Sequence, residues 1–401
     1  MAAKAKFRGP FMRAHIYPLD AVRFFAALCV MLFHLSFYDW ASTNSVVGQM
    51  FASATSFPQA APYTSFGWVG VEIFFVISGF VIANSANNSS PIAFVKSRVL
   101  RLYPAAWLSI CFTVAAWLLV GGVSGRHLSG EFLRSITLWI FGPWVDGVYW
   151  SLAVELVFYA IIFFLLLSSR FDCLTHVAWA LTTISAAFLI SVSFFPNAYR
   201  SHLGWHIVAY SDVLQLRYGC FFAFGIWMWL FSRRTLGMPN VFGLVSAFAI
   251  CILEIVGRSR DMAKWEVHPG VPVSQVLPAA VWIGTIMFML VIVRDDKRFT
   301  PLSPRLQNAF KNLGLMTYPL YLIHSVVGAF LIRVMVRSGI NPWIALTIAV
   351  LSMLSIAYEV SLYGEPPVRR LLRAAWERGE ASLRSVQSAA FLFRSGGRIA
   401  T

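Results

Sequence analysis

The stretch Tyr17–Tyr38, YPLDAVRFFAALCVMLFHLSFY, has the length and apolar content of a membrane-spanning helix. It nevertheless contains Asp20, Arg23 and His34, and ionisable side chains inside a span are costly and commonly functional. Arg23 and His34 are eleven residues apart, which places them on nearly the same helix face, about 16 Å apart along its axis. Because this distance prevents a direct contact, each side chain needs another partner, and the stretch is a first candidate for part of a site.

The composition predicts an all-α, multi-pass membrane protein. The 401 residues are 58% hydrophobic and only 12% charged, and the apolar runs repeatedly reach the roughly 20 residues that cross a bilayer. The net charge of +15 does not indicate nucleic-acid binding, because Lys and Arg are dispersed between apolar runs and in both tails, where they orient a membrane protein. The five cysteines lie in apolar runs without metal-ligand spacing, and we interpret them as buried side chains.

Ten apolar windows predict crossings, at about residues 19–38, 67–84, 102–121, 147–168, 175–195, 207–230, 239–257, 276–293, 313–336 and 342–363. A cytoplasmic N-terminus then places most of the 32 Lys and Arg residues on the cytoplasmic side, as the positive-inside rule requires, and returns the C-terminus there. We expect the first span to be retained, not cleaved as a signal peptide. The chain thus divides into a basic cytoplasmic arm (1–18), a membrane domain (19–363) and a basic cytoplasmic tail (364–401).

Three other segments need an interpretation. The apolar run Phe132–Trp144 is short, and counting it as a crossing would put the basic segment Arg294–Lys311 outside, so it predicts an interfacial or re-entrant helix. The loop Asp39–Phe66 has no Lys or Arg and is either a cover over a substrate opening or a polar connector. The Arg-rich tail from Glu365 has helical apolar spacing, which is typical of a surface helix on anionic lipid.

Polar residues interrupt two further regions of the predicted bundle. GWVGVEIFFVISGF places Glu72 in the second span, where it either serves a site or meets water near the end of the span. FVKSRVLRLYP sets Arg98 and Arg101 one helical turn apart, so that both side chains point the same way. Such a pair suits a phosphate-bearing ligand, although short cytoplasmic loops are basic in any case.

Two later motifs also carry candidate groups. YWSLAVELVFY places Ser151 and Glu155 on one face of the fourth span, where the carboxylate is either a general base or the partner of a cation on another helix. TYPLYLIHSVV places His324 in the ninth span, in which Pro319 lies in the first turns. None of these motifs is a P-loop, a Gly-x-Ser-x-Gly elbow or a His-Glu-x-x-His zinc helix, and no metal site is predicted.

Taken together, the motifs resemble those of the integral-membrane acyltransferase family 3, whose members O-acylate cell-surface and secreted sugars. The shared features are Arg-x10-His in the first span, GVEIFFVISGF in the second, Arg-x-x-Arg before the third, YWSLAVE in the fourth and YPLYLIH in a late span. They occur in this order from Leu19 to Tyr363. Each motif is modest alone, and the set of five is fairly specific.

The resemblance implies a helix bundle with a central channel, located in a bacterial inner membrane. It implies acetyl-CoA or another acyl-CoA as a donor reached from the cytoplasm, a carbohydrate hydroxyl as the acceptor, and no bound cofactor. Two departures from the family's pattern matter. Glu72 stands where many members have Asp, and these 401 residues hold no fused extracytoplasmic esterase-like domain. We therefore expect the bundle, or a separate partner, to complete the transfer.

By the same resemblance, Arg23 and His34 match the essential pair of the family, Arg98 and Arg101 match its second basic motif, and Glu155 matches the acidic residue of its WSLxxE motif. We expect Arg23 to meet the phosphate or pantetheine part of the donor. The two arginines of the second motif would hold the nucleotide end of the donor.

We expect His34 to act as the general base, or as a covalent acyl carrier, with Glu155 or Glu72 orienting its ring. Other groups of the motifs are expected to support this site: Ser151, Tyr318 and His324. Two other functions remain open from the sequence. One is a secondary transporter whose His and Glu residues relay protons, and the other is acylation of a small lipophilic molecule.

Overall fold

The computed structural model describes residues 16–52, 55–121, 125–195, 207, 210–233, 237–294 and 303–396. Within these ranges the chain is almost entirely helical, and the only β structure there is an isolated antiparallel bridge between Ser42 and Val267. The predicted all-α class is therefore confirmed. Most of the predicted N-terminal arm falls on residues 1–15, outside the described residues.

The longer helices are α1 (Tyr17–Phe33), α2 (Val69–Ala86), α3 (Pro91–Val120), α4 (Gly125–Ile136), α5 (Tyr149–Leu167), α6 (Leu174–Phe194), α7 (Gly219–Ser232), α8 (Met238–Asp261), α9 (Leu277–Arg294), α10 (Pro304–Arg337), α11 (Pro342–Glu359) and α12 (Glu365–Gly396). Short α-helical turns lie at Asp39–Ala41 and Ala61–Thr64, and a 3-10 turn lies at Phe171–Cys173. Segments of π-helix occur at His34–Tyr38, Gly48–Ala52, Met262–Glu266 and Val360–Gly364.

Nine helical stretches in the described ranges are long and apolar enough to cross a membrane, and they overlap nine of the ten predicted spans. The tenth predicted span, residues 207–230, contains α7, which has only 14 residues and is therefore about 21 Å long. The helix starts late because the backbone of Gln215 is in the left-handed region, with a φ of 62°, which a right-handed helix does not contain. The side-chain amide of Gln215 donates a hydrogen bond to the Val154 carbonyl at 2.7 Å. Non-helical backbone is tolerated at membrane depth where protein surrounds it, and α7 is buried on all sides.

Three helices begin where a polar residue precedes proline. The Ser90 and Ser303 hydroxyls accept hydrogen bonds from backbone N–H groups in the first turns of α3 and α10, and the Asn341 side chain does so for α11. Proline at the first helical position lacks only an N–H that would have no partner inside the helix. These caps fix the inner ends of α3 and α10, which carry basic residues of the site.

Close packing of α2 against α7 depends on two glycines. A Cβ atom at Gly79 would collide with the Phe222 carbonyl, and one at Gly225 would collide with the Val76 carbonyl. The two backbones therefore approach each other directly, as small residues permit in membrane helices. This contact fixes α2 in the centre of the bundle, where most of its residues are buried.

The apolar run Phe132–Trp144 does not form a spanning helix. Its first residues complete α4, which is amphipathic, and residues 137–148 are irregular. The Trp117 indole N–H donates to the Val145 carbonyl at 2.8 Å, which holds this segment against α3. The structure therefore agrees with the prediction that this run does not cross the membrane.

Helix α10 is longer than predicted. It has 34 residues and begins nine residues before the predicted span 313–336. Pro319 consequently lies in the middle of the helix and not in its first turns. The additional turns carry Lys311 to the same end of the bundle as the first turn of α1.

Candidate functional site

Three cavities lie in series along the bundle. The inner cavity, of about 740 Å³, is at the end where α1, α3, α10 and α12 begin, and the outer cavity, of about 580 Å³, is at the end that carries residues 38–47. The middle cavity, of about 90 Å³, adjoins both. It shares with the inner cavity the lining residues Arg23, Arg101, Gly314 and Tyr318. With the outer cavity it shares Val71 and Tyr321. The three cavities thus follow one path through the protein.

The inner cavity is strongly basic. Its lining includes six basic residues, which are Arg23, Lys96, Arg101, Lys311, Arg369 and Arg373, and three acidic ones, which are Asp20, Glu365 and Glu377. Tyr318 also lines it, and the Tyr318 hydroxyl has no hydrogen-bond partner among the described residues. The sequence predicts that this end of the bundle faces the cytoplasm.

The Arg23 side chain is held by a neighbour in its own helix. Its Nη1 donates to the Asp20 carboxylate at 3.0 Å, one turn earlier in α1. Helix α10 passes close to this pair, because a Cβ atom at Gly314 would lie 2.6 Å from Asp20 Oδ1. Glycine at position 314 thus leaves room for the pair, and Arg23 lies where the inner and middle cavities meet.

Glu155 lies at the middle cavity in a cluster of polar groups. Its carboxylate accepts hydrogen bonds from the Ser78 hydroxyl and, at 2.6 Å, from the Tyr159 hydroxyl. Arg98 lies over the Tyr159 ring, 5.7 Å from its centroid, and donates to Ser85 at 3.3 Å. Arg98 lines only the middle cavity, whereas Arg101 lines both the middle and the inner cavities. The two arginines of one motif therefore occupy different positions along the path.

His34 lines the outer cavity and lies beside a second histidine. Its ring centroid is 5.2 Å from that of His324 on α10. The His324 Nδ1 lies 2.7 Å from the Tyr321 carbonyl and 3.2 Å from the Leu320 carbonyl. Because carbonyl oxygens only accept, Nδ1 carries the hydrogen, and Nε2 of the neutral ring keeps its lone pair. That Nε2 is buried and has no hydrogen-bond partner among the described residues.

The segment before α5 is tied to α10 next to His324. The Asp146 carboxylate accepts hydrogen bonds from the backbone N–H groups of Val148 at 3.1 Å and Val326 at 3.2 Å. Burial raises the pKa of Asp146 to about 6, although these donors and Ser325 favour the charged form. Nearby, the hydroxyls of Ser151 and Tyr321 are 2.6 Å apart. These contacts fix α5 and the histidine-bearing part of α10 relative to each other.

A second buried group of charges lies on the wall of the outer cavity formed by α2 and α8. Arg217 lies 3.8 Å from the Glu254 carboxylate, and Arg258 forms a two-pronged ion pair with Glu266 at 2.5 and 3.0 Å. Glu72 lines the same cavity, and its Oε2 has no hydrogen-bond partner among the described residues. The wall therefore presents both a carboxylate and guanidinium groups.

The loop after α1 forms part of the outer cavity. Asp39 and residues 44–47 line it, and the Asp39 carboxylate accepts a hydrogen bond from Ser45 at 3.1 Å. The loop is attached to the segment after α8 through backbone hydrogen bonds, from Thr43 N–H to the Glu266 carbonyl and from His268 N–H to the Ala41 carbonyl. The loop is therefore part of the cavity lining as well as the connection between α1 and α2.

The predicted site residues are distributed along the path and do not form one cluster. His34 and Glu72 line the outer cavity, and Glu155 lines the middle one. Among the described residues, the structure records no hydrogen bond from His34 to Glu155 or Glu72; the His34 ring lies beside the rings of His324, Phe33 and Tyr38. The sequence interpretation did not assign a role to three residues that line the outer cavity: Asp146, Arg217 and Arg258. For Arg217, the sequence did contain a signal, because an ionisable residue in an apolar run is unusual.

The comparisons with known proteins agree with this architecture. A family model for acyltransferase family 3, described as an acyltransferase domain, matches residues 16–362. A protein of Komagataeibacter xylinus that is named as a membrane-bound transacylase is 27% identical over 79% of this chain and 81% of its own length. No solved structure matches the chain significantly.

Two other relatives are longer than the part that this chain matches. A Bacillus subtilis protein named as a peptidoglycan O-acetyltransferase is 26% identical over 77% of this chain and 48% of its own length. An O-acetyltransferase of Staphylococcus aureus is 23% identical over 88% of this chain and 57% of its own length. With nine helices in the described residues that can cross a membrane and a family match over most of its length, this chain belongs to acyltransferase family 3 and is a multi-pass integral membrane acyltransferase.

Proposed function

We propose that this enzyme transfers an acyl group from acyl-CoA to a hydroxyl of a cell-surface or secreted carbohydrate, and that this acyl group is acetyl. The observation that carries the proposal is the excess of basic side chains around the inner cavity. Coenzyme A carries phosphate groups at its nucleotide end, and Arg and Lys bind phosphate oxygens through charge-assisted hydrogen bonds. The donor would therefore bind at the inner cavity, from the cytoplasm of a bacterial cell.

The path between the cavities suits a long and narrow donor. Arg101 and Arg23 line both the inner and the middle cavities, so the pantetheine arm can pass them on its way toward Tyr321. The middle cavity, at about 90 Å³, is too small for the nucleotide. This arrangement supports a donor whose phosphates stay at the inner end while its thioester reaches the outer cavity.

The outer cavity suits a carbohydrate acceptor. Its lining includes eight aromatic residues, which are Phe33, Tyr38, Trp68, Trp117, Trp144, Trp150, Tyr218 and Tyr321. Aromatic faces pack against the apolar faces of sugar rings, and carboxylates accept hydrogen bonds from sugar hydroxyls. Asp39, Asp146 and Glu72 are carboxylates of this lining. The name of the Bacillus subtilis relative, which specifies peptidoglycan, points to the same class of acceptor.

His34 is the proposed general base at the boundary between donor and acceptor. The acceptor oxygen attacks the carbonyl carbon of the thioester while its proton passes to His34. The new C–O bond forms, the C–S bond breaks, and the CoA thiolate leaves and takes up the proton that His34 accepted, which restores the neutral imidazole. The neighbouring His324, whose Nε2 keeps a lone pair, can share the proton with His34. A covalent acyl-His34 intermediate is the variant of this mechanism.

Purified protein in detergent or nanodiscs tests the donor. We expect it to bind CoA with an affinity that falls as salt is raised, and to consume acetyl-CoA when a carbohydrate acceptor is added. Arg98→Ala and Arg101→Ala should weaken the binding. A wild-type protein that neither binds CoA nor consumes acetyl-CoA would overturn the proposal and favour a proton-coupled transporter.

Mass spectrometry of surface and secreted glycans tests the acceptor. A deletion strain should lose an acyl mass from one glycan, and the gene should restore it. Loss of an acyl group from a small lipophilic molecule, with all glycans unchanged, would replace the proposed acceptor class.

A further inference from the structure

Helix α12 lies beyond the segment that the family model matches, which ends at residue 362, yet it forms part of the inner cavity. Residues spaced by four along a helix lie on one side of it. Four such residues of α12 all line the cavity: Glu365, Arg369, Arg373 and Glu377. One side of the helix is thus a wall of the cavity.

Two of these residues attach α12 to the rest of the bundle. The Arg369 Nε donates to the Leu100 carbonyl of α3 at 3.1 Å, and its Nη2 donates to Glu365 at 2.5 Å. Two turns later, Glu377 lies 3.6 Å from Lys96 of α3. These contacts place the helix over the inner end of α3, so its orientation toward the cavity is defined by specific bonds.

Arg373 differs from its neighbours on α12. It lies between the two attachment points and its side chain is exposed. Among the described residues, it forms no hydrogen bond and has no carboxylate within 4 Å. The same holds for Arg101 on α3 and Lys311 on α10, which line the same cavity. Three cations on three helices therefore line one cavity, and among the described residues none of them forms a salt bridge with the carboxylates of its lining.

We propose that α12 is a wall of the donor site and that Arg373, with Arg101 and Lys311, binds the phosphate groups at the nucleotide end of acyl-CoA. This inference rests on the proposed function, and it adds a binding residue from outside the family-matched segment. Arg can bind phosphate oxygens through two parallel hydrogen bonds. Attachment of α12 by Arg369 holds the Arg373 backbone in place before the donor arrives, which lowers the entropic cost of binding.

An anionic lipid headgroup offers similar phosphate chemistry. The position of the cations favours the nucleotide. They surround a cavity of about 740 Å³ between four helices, and Arg101 also lines the middle cavity, through which the rest of the donor would pass. A lipid headgroup bound at the membrane surface would not extend into the middle cavity.

The test measures CoA binding to the full-length protein in nanodiscs of zwitterionic lipid. Arg373→Gln should weaken CoA binding about tenfold, the effect expected for loss of one charge-assisted phosphate contact. Arg373→Lys should recover part of the affinity. Arg378→Gln is the matched control, because this arginine lies on the same helix but does not line the cavity, and we expect no more than about a twofold effect from its exposed charge. Arg373 is exposed, so the variant should fold, and gel filtration checks this.

Three results would overturn the inference. If wild-type protein and the Arg101→Ala variant differ in CoA affinity while Arg373→Gln and Arg378→Gln are equal, the proposed function stands and the role of α12 fails. If Arg373→Gln changes binding only when the nanodiscs contain anionic lipid, the cation serves the lipid. If wild-type protein does not bind CoA, both proposals fail together.

Discussion

The inner and outer cavities are of similar size but differ in chemistry. The inner one, of about 740 Å³, has six basic residues in its lining and only one aromatic residue, Tyr318. The outer one, of about 580 Å³, has eight aromatic residues and five acidic ones, against two arginines. Volume therefore does not distinguish their ligands. A charged, open space suits phosphate groups, whereas aromatic faces with carboxylates between them suit sugar hydroxyls.

The comparison gives each end of the path its own kinetic signature. Variants of the inner lining should change the Michaelis constant for the donor, and variants of the outer lining should change that for the acceptor. Variants at the boundary should lower the rate of the chemical step. The four predictions below test this division, beginning with the largest expected effect.

Loss of the His34 imidazole should have the largest effect. His34→Ala should lower kcat by about 10³-fold, because it removes the proposed base, while CoA affinity remains close to that of the wild type. The measurement is acetyl transfer by purified protein, together with CoA binding. His176→Ala, an exposed histidine on α6, is the control. Normal transfer by the His34 variant would remove this residue from the mechanism.

A change at Arg101 should act on the donor alone. Arg101→Gln should raise the Michaelis constant for acyl-CoA about tenfold, because one phosphate contact is lost, and leave that for the acceptor unchanged. Steady-state kinetics with each substrate varied in turn will measure both constants. Arg170→Gln removes an exposed arginine that lines none of the three cavities. An equal effect on both Michaelis constants would argue against separate donor and acceptor ends.

A change at Trp144 should act on the acceptor alone. Trp144→Ala should raise the Michaelis constant for the acceptor about fivefold, because an aromatic surface of the outer cavity is lost. Trp139→Ala, from the same irregular segment but not in the lining, is the matched control. If instead the Michaelis constant for acyl-CoA rises, the assignment of the two ends is reversed.

A change at Asp146 should act on stability, in a pH-dependent way. The pKa of Asp146 is raised by burial from 3.8 to about 6. Because the folded-state pKa exceeds that of the unfolded chain, folding favours the protonated form. This contribution is fully present below about pH 4 and is lost as the pH rises through about 6.

Asp146→Asn has no such titration. We therefore compare the melting temperature of the variant with that of the wild type by thermal unfolding of the purified proteins. The difference, variant minus wild type, should increase by a few degrees between pH 5 and pH 7.5, because only the wild type loses the contribution of the protonated carboxyl. The amide also places a donor opposite the Val148 or Val326 N–H, but that cost does not depend on pH. Parallel melting curves across this range would contradict the prediction.

The sequence drew attention to ionisable residues that line the cavities, but it did not predict how they are arranged. Arg23, His34 and Glu155 are visible because an ionisable residue in an apolar run is energetically unusual wherever it lies in the fold. Their partners are not visible in the same way. His34 and His324 are 290 positions apart, and their contact depends on the packing of α1 against α10, which no local pattern encodes.

The sequence was least informative about the edges of the bundle. Asp146 lies in an irregular segment whose path depends on hydrogen bonds to α10, so its burial could not be predicted. The basic, amphipathic pattern of α12 is the same whether its charged side faces lipid phosphates or a cavity. The length of α7 was also missed, because the turn at Gln215 is stabilised by a bond to Val154 on another helix.

The direct contact between α2 and α7 at Gly79 and Gly225 has a consequence for motion during turnover. Ser78 precedes Gly79, and its hydroxyl donates a hydrogen bond to the Glu155 carboxylate. The position of this carboxylate therefore depends on the contact at Gly79, where backbone meets backbone and no side chain lies between them. Close-packed interiors have low compressibility, so two backbones in direct contact have little room to shift. We therefore expect this wall of the middle cavity to be rigid. Adjustment to the substrates is therefore expected from the side chains that line the path and not from this backbone contact.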